Sequence, residues 1–189
     1  MGGGVKCGIC PRGCVFTEDN PVGFCRVRGL GNPGYGMCTS LSVDPIEKKP
    51  ISRFHSGSRV LSTGPNGCNL TCLFCQNWHI SQEDSPTTVY VPPEELIELA
   101  VARSDGIAYT YSEPTIWYEY ILDTAPHVRE RGGMAVMVSN GYVNPAPLAD
   151  LIGVTDAWNI DLKSFRNSFY RDICGGDLET VKNSIAMVA

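Results

Sequence analysis

From about Ser58 onward, short apolar runs alternate with longer amphipathic ones. "RVLSTG" (residues 59–64) reads as a strand closed by Gly-Pro. "PPEELIELAVARS" (92–104) reads as a helix: prolines open it, acids fill its first turn, and Leu96, Ile97, Leu99, Ala100 and Val101 supply the apolar face. "GIAYTY" (106–111) is a second strand, and 114–131 a helical stretch expected to kink or break at Pro126. "MAVMVSN" (134–140) is a third strand followed by a short helix at 145–152. "AWNIDLK" (157–163) is a fourth strand, and "LETVKNSIAMVA" (178–189) a final helix. Four strand–helix units of this kind predict an α/β fold with parallel strands joined by right-handed crossovers. A closed eight-unit barrel takes about 250 residues, and about half of that follows Ser58. The expectation is an incomplete α/β barrel of about four units, truncated at its C-terminus; the alternative is a complete small doubly wound sheet.

Residues 1–55 break the pattern. They are rich in Cys, Gly and Pro, and "GLGNPGYGM" (29–37) is turn chemistry. The expected division is therefore a Cys-rich N-terminal segment over 1–55 and an α/β core over 56–189. A loop-rich segment of that size lacks a core and needs a metal or a neighbouring surface to hold it.

Composition changes the picture in two ways. A net charge of −5 carries no basic stripe of the kind that neutralises nucleic-acid phosphates. The sequence shows no charged-then-apolar leader and no apolar run long enough to span a bilayer, so a cytoplasmic protein is expected. In a reducing compartment its nine cysteines point to metal or redox chemistry rather than disulfides.

"CNLTCLFCQN" (68–77) concentrates that chemistry. Cys68, Cys72 and Cys75 lie at i, i+4 and i+7, which on a helix would be one face. The preceding "STGPNG" holds two glycines and a proline, so the cysteines belong to the loop leaving the first strand. At the C-terminal end of such a strand α/β folds bind ligands. A structural zinc site fills four ligand positions. A four-iron, four-sulfur cluster held by three thiolates leaves one iron open for a small molecule.

C-x3-C-x2-C just after the first strand, with Phe74 before the last cysteine, resembles the signature of the radical S-adenosylmethionine (SAM) enzymes. "DPIEKKPI" (44–51), "GCNLTCLFCQNWHIS" (67–81), "AYTYSEPTIWYEY" (108–120), "SNGY" (139–142) and "DAWNIDLKSF" (156–165) extend the resemblance along nearly the whole chain. They are similar to the branch of pyruvate formate-lyase activating enzyme, and within it to the AmmeMemoRadiSam proteins. The resemblance implies a partial (β/α)6 barrel and an oxidoreductase in which a [4Fe-4S] cluster on Cys68, Cys72 and Cys75 reductively cleaves SAM to methionine and a 5′-deoxyadenosyl radical. That radical takes hydrogen from a substrate, of glycyl-radical type or another protein.

The same resemblance implies that Glu113 accepts a hydrogen bond from the SAM amino group, although Tyr111-Ser112 replace the glycines usual before it. Glu113 can equally cap the next helix. Ser139, Asn140, Asn159, Asp161 and Lys163 match positions that contribute to SAM and to a monovalent cation. The aspartate usual before Ser-Asn-Gly is Val138 here, a departure at the cation position. Asp161 and Lys163 share a strand face and can also be a structural ion pair. Phe74 matches the position against the adenine, while Trp78 reads as core cover. His79, His55 and His127 are lone histidines without a pattern.

Cys7, Cys10, Cys14 and Cys25 are spaced C-x2-C-x3-C-x10-C and can close a zinc site or hold a second iron–sulfur cluster. Cys38 and Cys174 are single and read as small buried hydrophobes. The expected partners are an electron donor such as ferredoxin or flavodoxin and a possible protein substrate. The competing function is a non-catalytic zinc or iron–sulfur module.

Overall fold

The computed structural model describes residues 4–51, 53–83 and 87–189. A two-residue hairpin opens the chain, β1 (Val5–Lys6) with β2 (Val15–Phe16). The main sheet holds β3 (Met37–Pro45), β4 (Arg59–Pro65), β5 (Val89–Tyr90), β6 (Gly106–Tyr109), β7 (Met134–Ser139) and β8 (Ala157–Ile160). Its order is β5-β3-β4-β6-β7-β8. Strands β4, β6, β7 and β8 are mutually parallel, as the strand–helix alternation predicts. Strands β3 and β5 extend the sheet antiparallel on the β4 side. The segment read as loop-rich thus contributes β3, which pairs with β4 from Cys38↔Pro65 to Pro45↔Arg59.

Alternation along the parallel strands assigns the two faces. Leu61, Ile107, Tyr109, Ala135 and Met137 join the main core with the helices. Their neighbours Val60, Ala108, Met134 and Val136 form a second cluster on the other face, with Ile46. Helices α2 (Pro93–Arg103), α3 (Tyr118–Glu130) and α4 (Pro145–Val154) follow successive strands. A one-turn helix, α1 (Trp78–Ser81), closes the cysteine loop. Asn167–Phe169 (α5) runs into a π-turn, Tyr170–Cys174, and α6 (Leu178–Val188) ends the described chain.

The helical stretch expected to break at Pro126 is instead a 3-10 turn, Pro114–Trp117, followed by α3 continuous through Pro126. The lost N–H is outweighed by Ile121, Ala125 and Val128, all fully buried against the sheet. Strands β6 and β8 also end sooner than expected, at Tyr109 and Ile160, so the polar residues beyond them sit on loops. Among the described residues no helix is long and apolar enough to cross a membrane.

Candidate functional site

The loops after β4, β6, β7 and β8 meet around a cavity of about 730 Å³ that Cys68, Cys72, Cys75, Glu113, Asn140 and Lys163 help to line. Its place at the C-terminal ends of the parallel strands follows from the topology.

The cysteine loop is fixed by its backbone. Gly67 has φ +144°, and a Cβ there would stand 2.1 Å from the Cys25 carbonyl oxygen, so only glycine lets the loop press on the N-terminal segment. Buried Asn69 donates Nδ2 to the Tyr142 carbonyl (2.7 Å) and accepts at Oδ1 from Asn140 Nδ2 (2.9 Å). Thr71 N and Leu73 N donate to the carbonyls of Cys174 (2.9 Å) and Ile173 (3.0 Å), tying the loop to the π-turn. Arg12 reaches across from the N-terminal segment to the Asn69 carbonyl (3.0 Å) and the Gly175 carbonyl. The Cys68 sulfur accepts from Leu70 N (3.4 Å) and Asn140 Nδ2 (3.5 Å), and Cys75 Sγ lies 3.1 Å from Ser81 Oγ.

Burial pushes the Cys68 and Cys72 thiols up, and a bound metal centre would displace their protons. The donor set fits an iron–sulfur cluster: three soft sulfurs line one cavity, and backbone and amide N–H groups face Cys68. Among the described residues no three His, Cys, Asp or Glu side chains converge on a point that a single ion could fill. A four-iron cluster does not need that convergence, because each thiolate binds a different iron.

Glu113, 1 % exposed, is the centre of the polar wall. Its Oε1 accepts from Thr115 N (3.0 Å), Thr115 Oγ1 (2.7 Å) and Ser139 Oγ (2.8 Å). Its Oε2 accepts from Asn140 N (2.7 Å). It therefore caps the 3-10 turn and also ties the β6 loop to the end of β7. Burial pushes its carboxyl up, against the donors of Asn140, Thr115 and Ser139. Oε1 is saturated, while Oε2 has room for another donor from the cavity.

Asp161 and Lys163 pair across 2.5 Å at the cavity edge. Burial lowers the Lys163 ammonium, but Asp161, then Cys72 and Glu113, hold it above its ordinary value. Phe74 is half exposed and leans on Phe169, ring centroids 5.7 Å apart. Ser139 and Asn140 also line the cavity. Asn159 does not. Its Nδ2 donates to the carbonyls of Lys49 (3.2 Å) and Pro50 (3.4 Å), so the structure gives it a bracing contact instead. Trp78 stands 45 % exposed on α1 and covers no core. His79 and His127 pair with Glu83 (2.6 Å) and Glu130 (2.9 Å) on the surface.

Among the N-terminal cysteines, Cys7, Cys10 and Cys25 are buried, and Cys14 Sγ accepts from Phe24 N (3.5 Å). Burial, with Cys25 and Cys7 nearby, pushes the Cys10 thiol up to about 11. Of the single cysteines, Cys174 is fully buried beside Cys72, and Cys38 Sγ accepts from Thr63 Oγ1 (3.5 Å). Sequence reasoning assigned no role to Asp44, Lys48 and Lys49, which also line the cavity. The signal was the "DPIEKKPI" stretch, two acids and two lysines among apolar residues.

Comparison with known proteins gives a family match and similar relatives. The family model of the radical SAM superfamily matches residues 63–189. An uncharacterized protein of Methanocaldococcus jannaschii is 44 % identical over 185 residues, covering 94 % of this chain and 54 % of the relative. A second uncharacterized protein of that organism is 27 % identical over 186 residues, covering 94 % and 50 %. A protein named as a candidate glycyl-radical enzyme activating enzyme, from Haemophilus influenzae, is 27 % identical over 117 residues, covering 60 % and 45 %. The chain spans about half the length of the curated relatives it matches.

Proposed function

The chain belongs to the radical SAM superfamily, and from that premise we propose that Cys68, Cys72 and Cys75 hold a [4Fe-4S] cluster on which SAM is reductively cleaved. The observation that carries the proposal is that three sulfurs and Glu113, whose Oε2 accepts a single hydrogen bond, line one cavity. When bound, the cluster supplies the electron that splits the sulfonium into methionine and a 5′-deoxyadenosyl radical.

The residues of this chain bind, orient and shield. Glu113 Oε2 takes a proton-bearing nitrogen of SAM as its further donor. An acid held by four donors keeps its orientation, so the amino group meets a fixed acceptor. Phe74 offers an exposed ring to the adenine. Ser139 and Asn140 hold Glu113 and Cys68 in register, and the Asp161–Lys163 pair presents both charges at the rim. Asn159 acts indirectly, by bracing the Lys49 backbone. Cys7, Cys10, Cys14 and Cys25 are the ligands of a second site, for a further iron–sulfur cluster or, if the four sulfurs draw together, for zinc. The electron donor is a small reductant such as ferredoxin or flavodoxin. The name of the Haemophilus influenzae relative favours an activating-enzyme-like role on a protein substrate. The affiliation to the AmmeMemoRadiSam branch belongs to the same reading.

The test is anaerobic reconstitution of the wild type and a Cys68→Ala/Cys72→Ala/Cys75→Ala variant, with iron, sulfide and zinc counts. About four irons per chain at the loop, lost in the variant, and 5′-deoxyadenosine formed with dithionite are expected. Zinc alone, equal in both proteins and without SAM cleavage, replaces the enzyme by a metal-binding module.

A further inference from the structure

The floor of the cavity is built by a segment to which the SAM chemistry gives no role. Residues 44–51 leave β3 and cross the face of the sheet that carries the second cluster. Ile46, on the 3-10 turn Ile46–Lys48, is fully buried with Val60, Ala108 and Val136. At the far side, Asn159 on β8 holds the Lys49 carbonyl. Asp44 pairs in register with Val60 near the start of β4, while the thiol loop leaves beyond Pro65. Five residues of strand separate the two levels, about 16 Å at the usual rise.

Charge on this floor does not balance. The buried Asp44 carboxylate takes Lys48 Nζ on Oδ1 (3.0 Å) and Lys49 Nζ on Oδ2 (3.0 Å), and Tyr111 donates its hydroxyl to Oδ2 (3.1 Å). Glu47, the segment's other acid, does not line the cavity and accepts from Ser56 Oγ (3.1 Å) and Gly57 N (2.7 Å), so among the cavity-lining groups of this segment one carboxylate faces two ammonium groups. The Lys49 side chain is 5 % exposed and that of Lys48 is mostly exposed, so water screens the inner ammonium poorly and the outer one well. An ammonium carries three donors, and Asp44 takes one. The other acids of the cavity are engaged, Glu113 by four donors and Asp161 by Lys163.

Tyr111 adds an independent sign. Its φ is +71°, in the left-handed region, which costs a non-glycine residue roughly 1–2 kcal/mol. The surroundings enforce it: Asn77 Nδ2 donates to the Tyr111 carbonyl, and the ring lies 5.0 Å from Lys49 Nζ. Strain of this kind is kept where a side chain is aimed for a purpose.

We propose that Lys48, Lys49 and Tyr111 form a carboxylate-recognition subsite for the substrate, on the cavity floor away from the thiol loop. One surplus positive charge matches a carboxylate, whereas a phosphate monoester, at about −1.5 to −2, would overfill it. The subsite fixes the end of the substrate remote from the reacting hydrogen. It rests on the cavity being the reaction chamber, but its test does not require SAM cleavage.

The experiment uses the reconstituted chain with [ε-13C]lysine, titrated with acetate and with acetamide as the neutral control. The Lys48 and Lys49 carbon signals, assigned from Lys48→Met and Lys49→Met, are expected to move saturably with acetate and to ignore acetamide. Lys6 and Lys182, which do not line the cavity, report ionic strength alone. In Lys49→Met the Lys48 response should need at least about tenfold more acetate, the loss of one charge-assisted hydrogen bond. Lys48, on a mostly exposed side chain, gives a second variant that keeps the buried pair intact. No selective response, or saturation by inorganic phosphate at lower concentration than acetate, overturns the carboxylate assignment. Loss of the acetate response on prior saturation with SAM would assign the subsite to the carboxylate of SAM and overturn the substrate assignment. Persistence of the response supports it.

Discussion

Replacing Glu113 by Gln tests whether the buried carboxylate organises the site. The change is nearly isosteric, so its effect comes from hydrogen bonding. An amide turned with its carbonyl at the Oε1 position keeps Thr115 N, Thr115 Oγ1 and Ser139 Oγ as donors. Its NH2 then faces Asn140 N, now 2.7 Å from Oε2. Two donors repel there, and a buried N–H left unpaired costs about 1–3 kcal/mol. The opposite orientation satisfies Asn140 and strands three donors, which is worse. The three retained bonds also weaken, because bonds to a charged acceptor are roughly twice as strong as neutral ones. Relief from burying a charge offsets part of this. The net expectation is about 3 kcal/mol of lost stability, or a drop in Tm of about 6–12 °C for a chain of this size. Urea unfolding followed by circular dichroism reads it, with an unchanged m-value showing that only stability moved. A variant within about 0.5 kcal/mol of wild type would refute the argument, since that is the range of an ordinary surface change.

Two further outcomes follow from the same geometry. Gly67→Ala forces a Cβ to within 2.1 Å of the Cys25 carbonyl at φ +144°. It should cost more than the roughly 1 kcal/mol of a simple glycine replacement and lower iron incorporation; wild-type iron content at wild-type stability would show that the loop does not press on the N-terminal segment. Asp44→Asn should remove an acid-dependent part of stability. Burial raises the Asp44 carboxyl, but Lys49, Lys48 and the neighbouring hydroxyls outweigh it and hold the group well below the usual range. A depressed acid stabilises the fold above its unfolded pKa, about 3.9, and loses that contribution as pH falls toward the folded value. The wild-type advantage over Asp44→Asn should therefore be full at pH 6 and shrink below about pH 4; a pH-independent difference would sink it.

The four parallel strands were legible because they are short apolar runs bounded by turn residues, and apolar pattern is local information. The thiol loop was legible because "STGPNG" forbids the helix that its cysteine spacing would otherwise suggest. β3 was not legible. Its sequence, MCTSLSVDP, interleaves Ser, Thr and Asp with only partly buried positions, and its pairing with β4 is fixed by tertiary register rather than by its own alternation. Pro126 misled for a related reason: a local rule about helix breaking was outweighed by burial that only the sheet supplies.

The same distinction explains which site residues could be found. Glu113 announces its capping role locally, since the Pro that follows it marks a helix start, and it follows a strand at the end where α/β folds bind ligands. Asp44 and Lys49 are five residues apart, at a strand end and at the cap of a 3-10 turn, and nothing local says that they line the same cavity as Cys68. They meet the cavity only because β3 runs antiparallel to β4, which carries the end of β3 down to the start of β4 and turns the next segment across the sheet. A residue placed by long-range pairing leaves its trace in composition instead. Here that trace is two acids and two lysines set among apolar residues, groups too costly to bury unless paired. Asp44 pairs with both lysines, and Lys48, on a mostly exposed side chain, keeps the charge that the proposed substrate carboxylate would meet.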